Sequence, residues 1–290
     1  MKDRLSVNFH TRVCAVIGNP VSHSLSPAIH NAGYAELGLD YIYLPCQVED
    51  VAAMLSGMRA MHNFRGLSVT IPHKVEVMKY VDEVVEVDRV IGSINTVVKQ
   101  EDGRLVGLGT DGPGALKALT DAGVELDGKS VLMLGCGGAA RAVAFTLAQQ
   151  AALKELRLLD INQEMLTGLS DDLRKHTEAL IIPEPLDDAS LVTAMSQADV
   201  IIHGTPVGMH PKEDATLVPQ ELFRSGQTVF DIVYNPLETR LLREAKGKGL
   251  KTISGVEMFI NQAVLQFEQF TGGPAPEEVM RRVVMEHLTS

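Results

Sequence analysis

Apolar and polar positions follow two different spacings in the first 110 residues of the chain. Short apolar runs predict buried strands, and these runs are "VCAVIG", "YIYLPCQV", "FRGLSVTIP", "SINTVV" and "LVGLGT". Between the first three runs, "SPAIHNAGYAELG" and "VAAMLSGMRAM" carry apolar residues at helical spacing and predict two helices. Residues 1–110 are therefore expected to form an αβ domain of their own.

From residue 111 onward, predicted helices and strands alternate regularly. A helix from Gly112 leads to the strand Val131–Leu134, and a glycine-rich turn then opens a helix to about Ala148. Further strands are predicted at "LRLLD", "ADVIIHGT", "TVFDIVY" and near Thr252, with a helix from about Glu238. This alternation is typical of a parallel, doubly wound sheet, so residues 111–255 predict a Rossmann-like domain. The tail, residues 256–290, predicts two amphipathic helices.

Net charge, the N-terminal segment and the cysteines exclude several classes of partner and location. The formal net charge of −11 opposes binding to phosphate backbones and anionic lipid. The polar start, "MKDRLSVNFHTRV", lacks the apolar core of a signal peptide. Three scattered cysteines without a C-x-x-C pair are typical of a reducing compartment and provide no zinc site. We therefore expect a cytoplasmic protein that uses no metal and binds neither nucleic acid nor a membrane.

The glycine-rich turn matches a dinucleotide-binding fingerprint, with Gly135, Gly137 and Ala140 in its three small positions. Gly135 permits the tight turn, Gly137 lets backbone N–H groups approach a pyrophosphate, and Ala140 lets the helix pack close to the strand. The strand before the turn and the helix after it favour a nucleotide site over a simple glycine cap. Cys136 within the turn is expected to supply a small side chain or, alternatively, a reactive thiol.

Asp160 bears on the choice of cofactor, because it ends the strand that follows this turn. A carboxylate at that position accepts hydrogen bonds from the adenosine ribose and repels a 2′-phosphate. The following residues, "DINQE", contain no basic side chain for such a phosphate. NAD is thus favoured, with NADP possible; the alternative is that Asp160 is simply a solvated residue at a strand end.

A phosphate-loop match and two histidines suggest functional sites, but the sequence argues against a functional role for them. Residues 123–130 match the phosphate loop G-x-x-x-x-G-K-S letter for letter, but they follow a helix and precede a strand. That loop works only after a strand and before a helix, so the match is a coincidence. His23 and His73 are expected to hold loops together rather than to take part in chemistry.

Polar residues suited to chemistry lie at strand-to-loop boundaries of the first domain and at its end, and they are Ser24, Ser26, Thr70, Lys74, Asn95 and Asp111. Hydroxyl and amide groups suit a small polyhydroxylated acid, and a lysine can exchange the proton that must move when an alcohol loses hydride. Two alternatives remain: Lys74 is a solvated surface charge, and Ser26 is a helix N-cap, a role compatible with binding.

Several motifs together resemble the shikimate dehydrogenase family over nearly the whole chain, and they are "GNPVSHSLSPAIHN", "SVTIPHK", "IGSINTV", "GTDGPG", "GCGGAARA", "GTPVGMHP", "DIVYNP" and "GVEMFINQA". The resemblance implies reversible hydride transfer between NAD(P)H and 3-dehydroshikimate, which gives shikimate for aromatic amino acid synthesis. It also implies that the tail returns to complete the first domain, so that residues 1–110 and 256–290 bind substrate.

The same resemblance assigns roles to individual residues. Lys74 and Asp111 would be the catalytic pair, with their individual roles shared or exchanged. The substrate-binding residues would be Ser24, Ser26 and Tyr234 for the carboxylate, and Thr70, Asn95 and Gln262 for the ring hydroxyls. The cofactor-binding residues would be Gly135, Cys136, Gly137, Gly138 and Ala139 at the pyrophosphate, Asp160 at the ribose, and Ile232 and Gly255 near the nicotinamide.

Two departures from the family pattern bear on cofactor and substrate. NADP-using members carry Asn-Arg-Thr where this chain has Asp160-Ile161-Asn162, which points toward the NAD-using or dual quinate/shikimate branch. Ser26 stands where members that prefer quinate carry threonine, which argues against quinate. The alternatives left open are an NAD-dependent quinate/shikimate dehydrogenase, an aminoshikimate dehydrogenase, and a nucleotide-binding regulator without catalysis. The partner is a small hydroxy acid, and the protein is expected to be a monomer or homodimer.

Overall fold

The computed structural model describes residues 7–22 and 24–289, so His23 and the first six residues of the polar N-terminal segment lie outside the described residues. The chain divides into two compact units. Unit 1 contains the residues up to Thr110 together with Ala263–Leu288, and unit 2 contains Asp111–Gln262. The second division thus falls at residue 263, inside a continuous helix, rather than at residue 256.

Unit 1 is built on a mixed sheet. Its strands are β1 (Arg12–Gly18), β2 (Tyr41–Gln47), β3 (Phe64–Val69), β4 (Glu83–Val84), β5 (Thr96–Lys99) and β6 (Leu105–Leu108), in the order β2-β1-β3-β5-β6-β4. Its first helices are α1 (Ser26–Glu36), α2 (Val51–Ala60) and α3 (Glu86–Ile91). Strand β1 is parallel to β3, while β5 is antiparallel to both β3 and β6. The carboxyl ends of β1, β3 and β6 and the amino end of β5 therefore lie at the same end of the strands. We call this end, with the loops that carry Ser24, Thr70 and Lys74 and the segment before β5, the polar edge of unit 1.

Helix α2 shows how the apolar spacing becomes packing. Val51, Leu55 and Met58 recur at helical intervals, and each is 1% exposed in the cluster beneath the sheet. Asp50 caps the helix, because its carboxylate accepts a hydrogen bond from the N–H of Ala53 at 2.9 Å. Each of these large side chains contributes roughly 1.5–3 kcal/mol by leaving water.

Unit 2 has the doubly wound topology. Its elements are α4 (Asp111–Asp121), β7 (Ser130–Leu134), α5 (Gly138–Gln150), β8 (Glu155–Asp160), α6 (Gln163–His176), β9 (Ile181–Pro185), α7 (Asp188–Gln197), β10 (Val200–His203), β11 (Thr228–Asp231), α8 (Arg240–Gly247), β12 (Lys251–Ile253) and the start of α9 (Gly255–Thr271). The strands are parallel in the order β12-β11-β10-β7-β8-β9. This order is that of a Rossmann fold, with its reversal between β7 and β10, and it confirms the predicted fold class.

The C-terminal tail forms the predicted pair of helices, α9 and α10 (Glu277–Leu288). The pattern of apolar positions did not predict α3, β4, α6, β9 or α7. Strand β9, "IIPEP", contains two prolines at the sheet edge, and β4 has only two residues, so neither carries a strand signal. Within residues 7–22 and 24–289, no helix combines the length and apolarity needed to cross a bilayer.

Candidate active site

The polar edge of unit 1 brings together the residues that the sequence assigned to it, namely Ser24, Ser26, Thr70, Lys74 and Asn95. The loops after β1 and β3 contact each other directly, because the N–H of Asn19 donates to the carbonyl of Ile71 at 3.0 Å. A Cβ atom on Gly18 would lie only 2.5 Å from the Thr70 methyl group. Glycine at this position therefore allows the two loops to meet.

Lys74 lies in the turn after β3. Its backbone carbonyl accepts a hydrogen bond from the N–H of Ile94 at 2.9 Å, which ties the turn to the segment that leads into β5. His73 holds the turn from the other side, since its Nε2 lies 2.8 Å from the carbonyl oxygen of Val48. The Lys74 residue is itself half-buried, unlike the fully solvated lysine of the alternative interpretation.

Asn95 is fixed in one orientation by its neighbours. Its Oδ1 accepts from the backbone N–H of Thr110 at 2.8 Å and from the hydroxyl of Thr96 at 2.9 Å. Because an amide nitrogen cannot accept these bonds, the other atom is Nδ2, and it donates to Thr110 Oγ1 at 3.0 Å. Asn95 is 3% exposed, so this orientation is fixed by buried contacts.

A buried hydrogen-bond network supports Asn95 from below, and sequence reasoning missed it. Tyr43 donates to Ser68 Oγ at 2.6 Å, and Ser68 donates to Gln266 Oε1 at 2.8 Å. Gln266 Nε2 in turn donates to the Asn95 carbonyl at 3.1 Å and to Thr96 Oγ1 at 2.9 Å. Burial raises the pKa of Tyr43, which keeps its hydroxyl protonated as a donor.

The sequence held a weak signal for this network. Ser68 is a polar residue in the apolar end of β3, and Gln266 follows Gln262 by one helical turn on α9. Ser68 and Gln266 are 4% and 2% exposed. Buried polar residues need partners, but nothing in the local pattern shows that these two meet.

Ser26 differs from its predicted N-cap role. Helix α1 begins at Ser26 itself, the cap residue is Leu25, and no side chain caps the helix. Instead, the backbone N–H of Ser26 donates to Ser24 Oγ at 3.3 Å. The proline expected at the first helical position comes one residue later, so the sequence placed the helix start one residue too far along. Both serines remain at the amino end of α1.

Asp111, Tyr234 and Gln262 belong to unit 2, where they surround the first turns of α9. Asp111 is the first residue of α4 and is 8% exposed. One turn later on α4, a Cβ atom on Gly114 would lie 2.9 Å from the backbone nitrogen of Gln262. Gln262 Nε2 donates to the Phe259 carbonyl at 2.8 Å, and the Phe259 ring stacks on Tyr234 with centroids 4.6 Å apart. Burial raises the pKa of Tyr234, so its phenol remains a hydrogen-bond donor.

The glycine turn of unit 2 has an open face. Gly135 adopts φ of +98°, a conformation that L side chains rarely adopt. Gly137 is the cap residue of α5 and makes no side-chain capping bond, and a Cβ atom there would meet nothing within 4 Å. Gly138 and Ala139 begin the helix, whose first turn carries no acidic residue. The N–H groups of Gly135 and Cys136 already donate within unit 2, to the Leu159 carbonyl and to Asp160. The N–H groups at the start of α5 lack helical acceptors, so this end of the helix suits an anion.

Asp160 closes the same turn. One carboxylate oxygen accepts from the N–H of Cys136 at 2.6 Å, and the other accepts from the N–H of Asn162 at 2.7 Å. Burial and the neighbouring Asp160 charge raise the pKa of Cys136 to about 12, so it remains a thiol rather than a reactive thiolate. Cys136 therefore provides a small side chain, which was the first of the two alternatives predicted for it.

Ile232 and Gly255 also meet within unit 2. A Cβ atom on Gly255 would lie 2.5 Å from the carbonyl oxygens of both Ile232 and Val233. Only glycine allows α9 to begin against the loop that follows β11. The close contact places both predicted nicotinamide-binding residues at the carboxyl edge of the unit 2 sheet, where ligands of such folds bind.

Comparison with known proteins identifies related sequences along the chain. A family model described as the shikimate dehydrogenase substrate binding domain matches residues 16–97. A second model, described as the shikimate 5′-dehydrogenase C-terminal domain, matches residues 255–285. The first match covers the polar edge of unit 1 up to β5, and the second covers helix α9 and most of α10.

Individual relatives extend the similarity to nearly the full length. A curated shikimate dehydrogenase (NADP(+)) from Methanosarcina acetivorans is 43% identical over 285 residues, which covers 96% of this chain and 99% of that protein. The structure of a Listeria monocytogenes shikimate 5-dehydrogenase in complex with shikimate and NAD superposes with a TM-score of 0.90, at 33% identity and coverage of 98% and 100% of the two chains. A Thermus thermophilus shikimate 5-dehydrogenase, in complex with NADP(H) and shikimate, gives a TM-score of 0.82 at 34% identity and coverage of 95% and 99%.

Proposed function

The chain belongs to the shikimate dehydrogenase family and acts as a shikimate dehydrogenase, and we propose that Lys74 and Asp111 are its catalytic pair and that NAD is its favoured cofactor. One observation carries the assignment of the site. At the polar edge of unit 1, the loops that bear Ser24, Thr70 and Lys74 and the segment before β5 lie side by side. This clustering of hydroxyl, ammonium and amide groups suits a hydroxylated ring acid.

Substrate binding divides between two groups of residues. Ser24, Ser26 and Tyr234 bind the carboxylate, and they suit it because two serine hydroxyls and a protonated phenol are hydrogen-bond donors. The amino end of α1 adds its favourable field for a negative charge. Thr70, Asn95 and Gln262 bind the ring hydroxyls, and the fixed orientation of Asn95 supports its part.

Proton transfer is assigned to Lys74. Bound nicotinamide supplies the hydride in the reduction and accepts it in the oxidation. In the reduction, the Lys74 ammonium gives one proton to the ketone oxygen as that oxygen gains negative charge, and in the oxidation the neutral amine takes the proton back. Asp111 accepts a hydrogen bond from the same hydroxyl and orients the pair.

The residues present fit a dinucleotide. Gly135, Cys136, Gly137, Gly138 and Ala139 would hold the pyrophosphate. The uncapped start of α5 and the open space above Gly137 support this assignment. Ile232 and Gly255 would lie near the nicotinamide, and Asp160 would accept hydrogen bonds from the ribose.

The preference for NAD rests on Asp160 and its neighbours. The Asp160 carboxylate would repel a 2′-phosphate, and the next residue, Ile161, is 81% exposed without any charge to offer. Arg141, on the first turns of α5, pairs with Asp172 at 2.6 Å. The curated relatives are named for NADP(+), whereas the Listeria protein was solved with NAD, so both dinucleotides occur with proteins of this fold.

Initial rates of nicotinamide reduction test these proposals, measured with NAD⁺ and NADP⁺ and with shikimate and quinate. We expect the highest kcat/KM for NAD⁺ with shikimate. Higher kcat/KM with NADP⁺ would overturn the role given to Asp160, and higher kcat/KM with quinate would assign the site to the quinate branch. Light scattering on the same preparation tests the proposal that the protein is a monomer or homodimer.

A further inference from the structure

Two neighbouring strands of unit 2, β10 and β11, end on a buried histidine–aspartate pair. His203 and Asp231 are register partners on these parallel strands and are 2% and 0% exposed. Nδ1 of His203 lies 2.9 Å from Asp231 Oδ1. A charged group this deeply buried is tolerated only when its hydrogen bonds are satisfied, so the partners of the pair reveal what it holds in place.

Asp231 holds the loop that follows β11. Besides His203, its carboxylate accepts from the N–H of Val233 at 3.0 Å and from the Thr239 hydroxyl at 2.6 Å. Thr239 is the N-cap of α8, where its Oγ1 accepts from the N–H of Leu242 at 3.4 Å. Asp231 thereby fixes both ends of the segment that begins at Ile232 and leads into α8.

His203 holds the loop that follows β10. A carboxylate can only accept, so Nδ1 of His203 carries the proton, and in the neutral ring Nε2 accepts from the Thr205 hydroxyl at 2.6 Å. Thr205 in turn accepts from the N–H of Val207 at 3.3 Å. A ring with nitrogens on both sides reaches both loops at once, whereas an asparagine amide reaches only one.

These loops include the backbone assigned to the nicotinamide. The carbonyls of Ile232 and Val233 lie against Gly255, and the Val233 N–H is held directly by Asp231. On the other side of His203, a Cβ atom on Gly204 would lie 2.7 Å from the Ala140 side chain, which is the third small position of the glycine turn. The pair thus lies beneath the loops on which the proposed cofactor site depends.

We propose that His203 and Asp231 are positioning residues that hold the two loops in the arrangement that receives the nicotinamide ring. The proposal rests on the proposed function, because that function places Ile232 and Gly255 beside the nicotinamide. It adds two residues whose substitution has a distinguishable effect on ligand binding. Disturbing the pair should weaken contacts to the nicotinamide half of the dinucleotide and spare those to the adenosine half, which the glycine turn and Asp160 would hold.

The test compares two ligands on the same variants. Dissociation constants for NADH and for ADP-ribose, which lacks the nicotinamide, are measured by calorimetry for wild type, His203→Asn and Thr205→Val. Asparagine retains a donor toward Asp231 but loses Thr205. We expect NADH to bind His203→Asn about tenfold more weakly, and ADP-ribose to bind within about twofold of wild type. His176→Asn, which changes an exposed histidine of α6 in the same unit, should leave both constants unchanged.

The outcomes separate positioning from stability. Equal weakening of both ligands with a lower melting temperature would mean that the pair only stabilises unit 2, and unchanged NADH binding would also overturn the proposal. If His203→Asn does not fold, Thr205→Val decides, because it keeps the side-chain volume and removes the Nε2 partner; its NADH constant should rise about threefold. Failure of the proposed function appears instead as a wild-type enzyme that binds NADH but does not oxidise shikimate when supplied with NAD⁺ or NADP⁺.

Discussion

At the polar edge of unit 1 the groups that we propose to bind a ligand are side chains, whereas at the glycine turn of unit 2 the proposed groups are mostly backbone N–H groups. Asn95 has its amide fixed by Thr110 and Thr96, with Gln266 beneath them. The glycine turn instead depends on the absence of side chains, with open space above Gly137.

This difference decides which mutations harm each unit. A side-chain site fails when a polar atom is removed, because its buried partners then lose a hydrogen bond. A backbone site fails when a methyl group is added, because the ligand and the new Cβ atom compete for the same space. The two units should therefore respond to opposite kinds of substitution.

Lys74→Ala should have the largest effect. Removing the proposed proton donor should lower kcat by about 10²–10⁴-fold, and the dissociation constant for shikimate should change far less. Pre-steady-state and steady-state rates measure the first quantity, and equilibrium binding measures the second. Lys79→Ala is the matched control, since Lys79 is exposed on the short 3₁₀ helix Glu76–Tyr80. A loss of shikimate affinity with unchanged kcat would remove Lys74 from proton transfer.

In unit 1, a buried histidine packs against the Tyr43 ring of the hydrogen-bond network, and its environment disfavours the protonated, charged form. His30 is 0% exposed and stacks on Tyr43, with ring centroids 4.4 Å apart and an angle of 6° between the planes. Neither of its ring nitrogens has a hydrogen-bond partner among the described residues. Burial lowers the pKa of His30 from 6.5 to about 3, so the folded core disfavours the protonated ring.

Stability should therefore fall as the solution becomes acidic. The stabilising contribution of neutral His30 is complete above the unfolded pKa of 6.5 and is lost as the pH falls from there toward the folded pKa of about 3. Between pH 7 and pH 4.5 the free energy of unfolding should drop by about 3 kcal/mol more in wild type than in His30→Phe. Urea unfolding at several pH values measures the slope, which is insensitive to any uniform packing cost of phenylalanine.

His62→Phe provides the control for that slope, because His62 is exposed in the same unit. Its pH dependence should match that of wild type. If the free energies of unfolding of His30→Phe and wild type fall in parallel with pH, the acid sensitivity comes from other groups. Protonation of His30 would then not destabilise the fold.

The same contrast explains what the sequence could predict. The glycine turn is a contiguous pattern between a strand and a helix, so Gly135, Gly137 and Asp160 could be placed from the sequence alone. The network of unit 1 joins residues that are distant in sequence, such as Ser68 and Gln266. Local periodicity shows each as an isolated polar residue, and only the tertiary fold brings them together.

The pattern of apolar positions also could not fix the exact start of a helix or reveal a buried polar pair. Ser26 followed by proline predicted an N-cap, but the structure begins α1 at that serine, because neither residue fixes the start more closely than one position. The pair His203 and Asp231 ends two apolar strands, and nothing local distinguishes it from two solvated residues at strand ends. Buried polar pairs of this kind become visible only through the register of parallel strands.

Gly137→Ala tests the backbone site of unit 2. Gly137 has φ of −68° and free space around it, so alanine should leave the melting temperature unchanged. Its methyl group should nevertheless weaken NADH binding by about 2 kcal/mol, or roughly thirtyfold. Gly135→Ala should behave differently, since a φ of +98° and a contact of 2.8 Å with the Thr205 methyl group predict lost stability as well.

Gly168→Ala serves as the control for this pair, because Gly168 lies within α6 with nothing within 4 Å of its Cβ position. Alanine there should raise stability by roughly 0.5–1 kcal/mol without affecting NADH binding. If Gly137→Ala bound NADH as tightly as wild type, the pyrophosphate would not approach this turn, and the contrast between the two units would fail.

Ile161→Arg should have the smallest effect, and it tests the proposal that side chains at the end of β8 set the choice between NAD and NADP. Ile161 is 81% exposed, so arginine should fold without cost. A guanidinium beside the ribose should favour a 2′-phosphate, and the ratio of kcat/KM for NADP⁺ to that for NAD⁺ should rise about tenfold. Ile161→Gln adds length without charge and should leave the ratio unchanged. An equal rise in both variants would show that side-chain length rather than charge sets the preference, and Asp160 would then lose its place as the residue that excludes the phosphate.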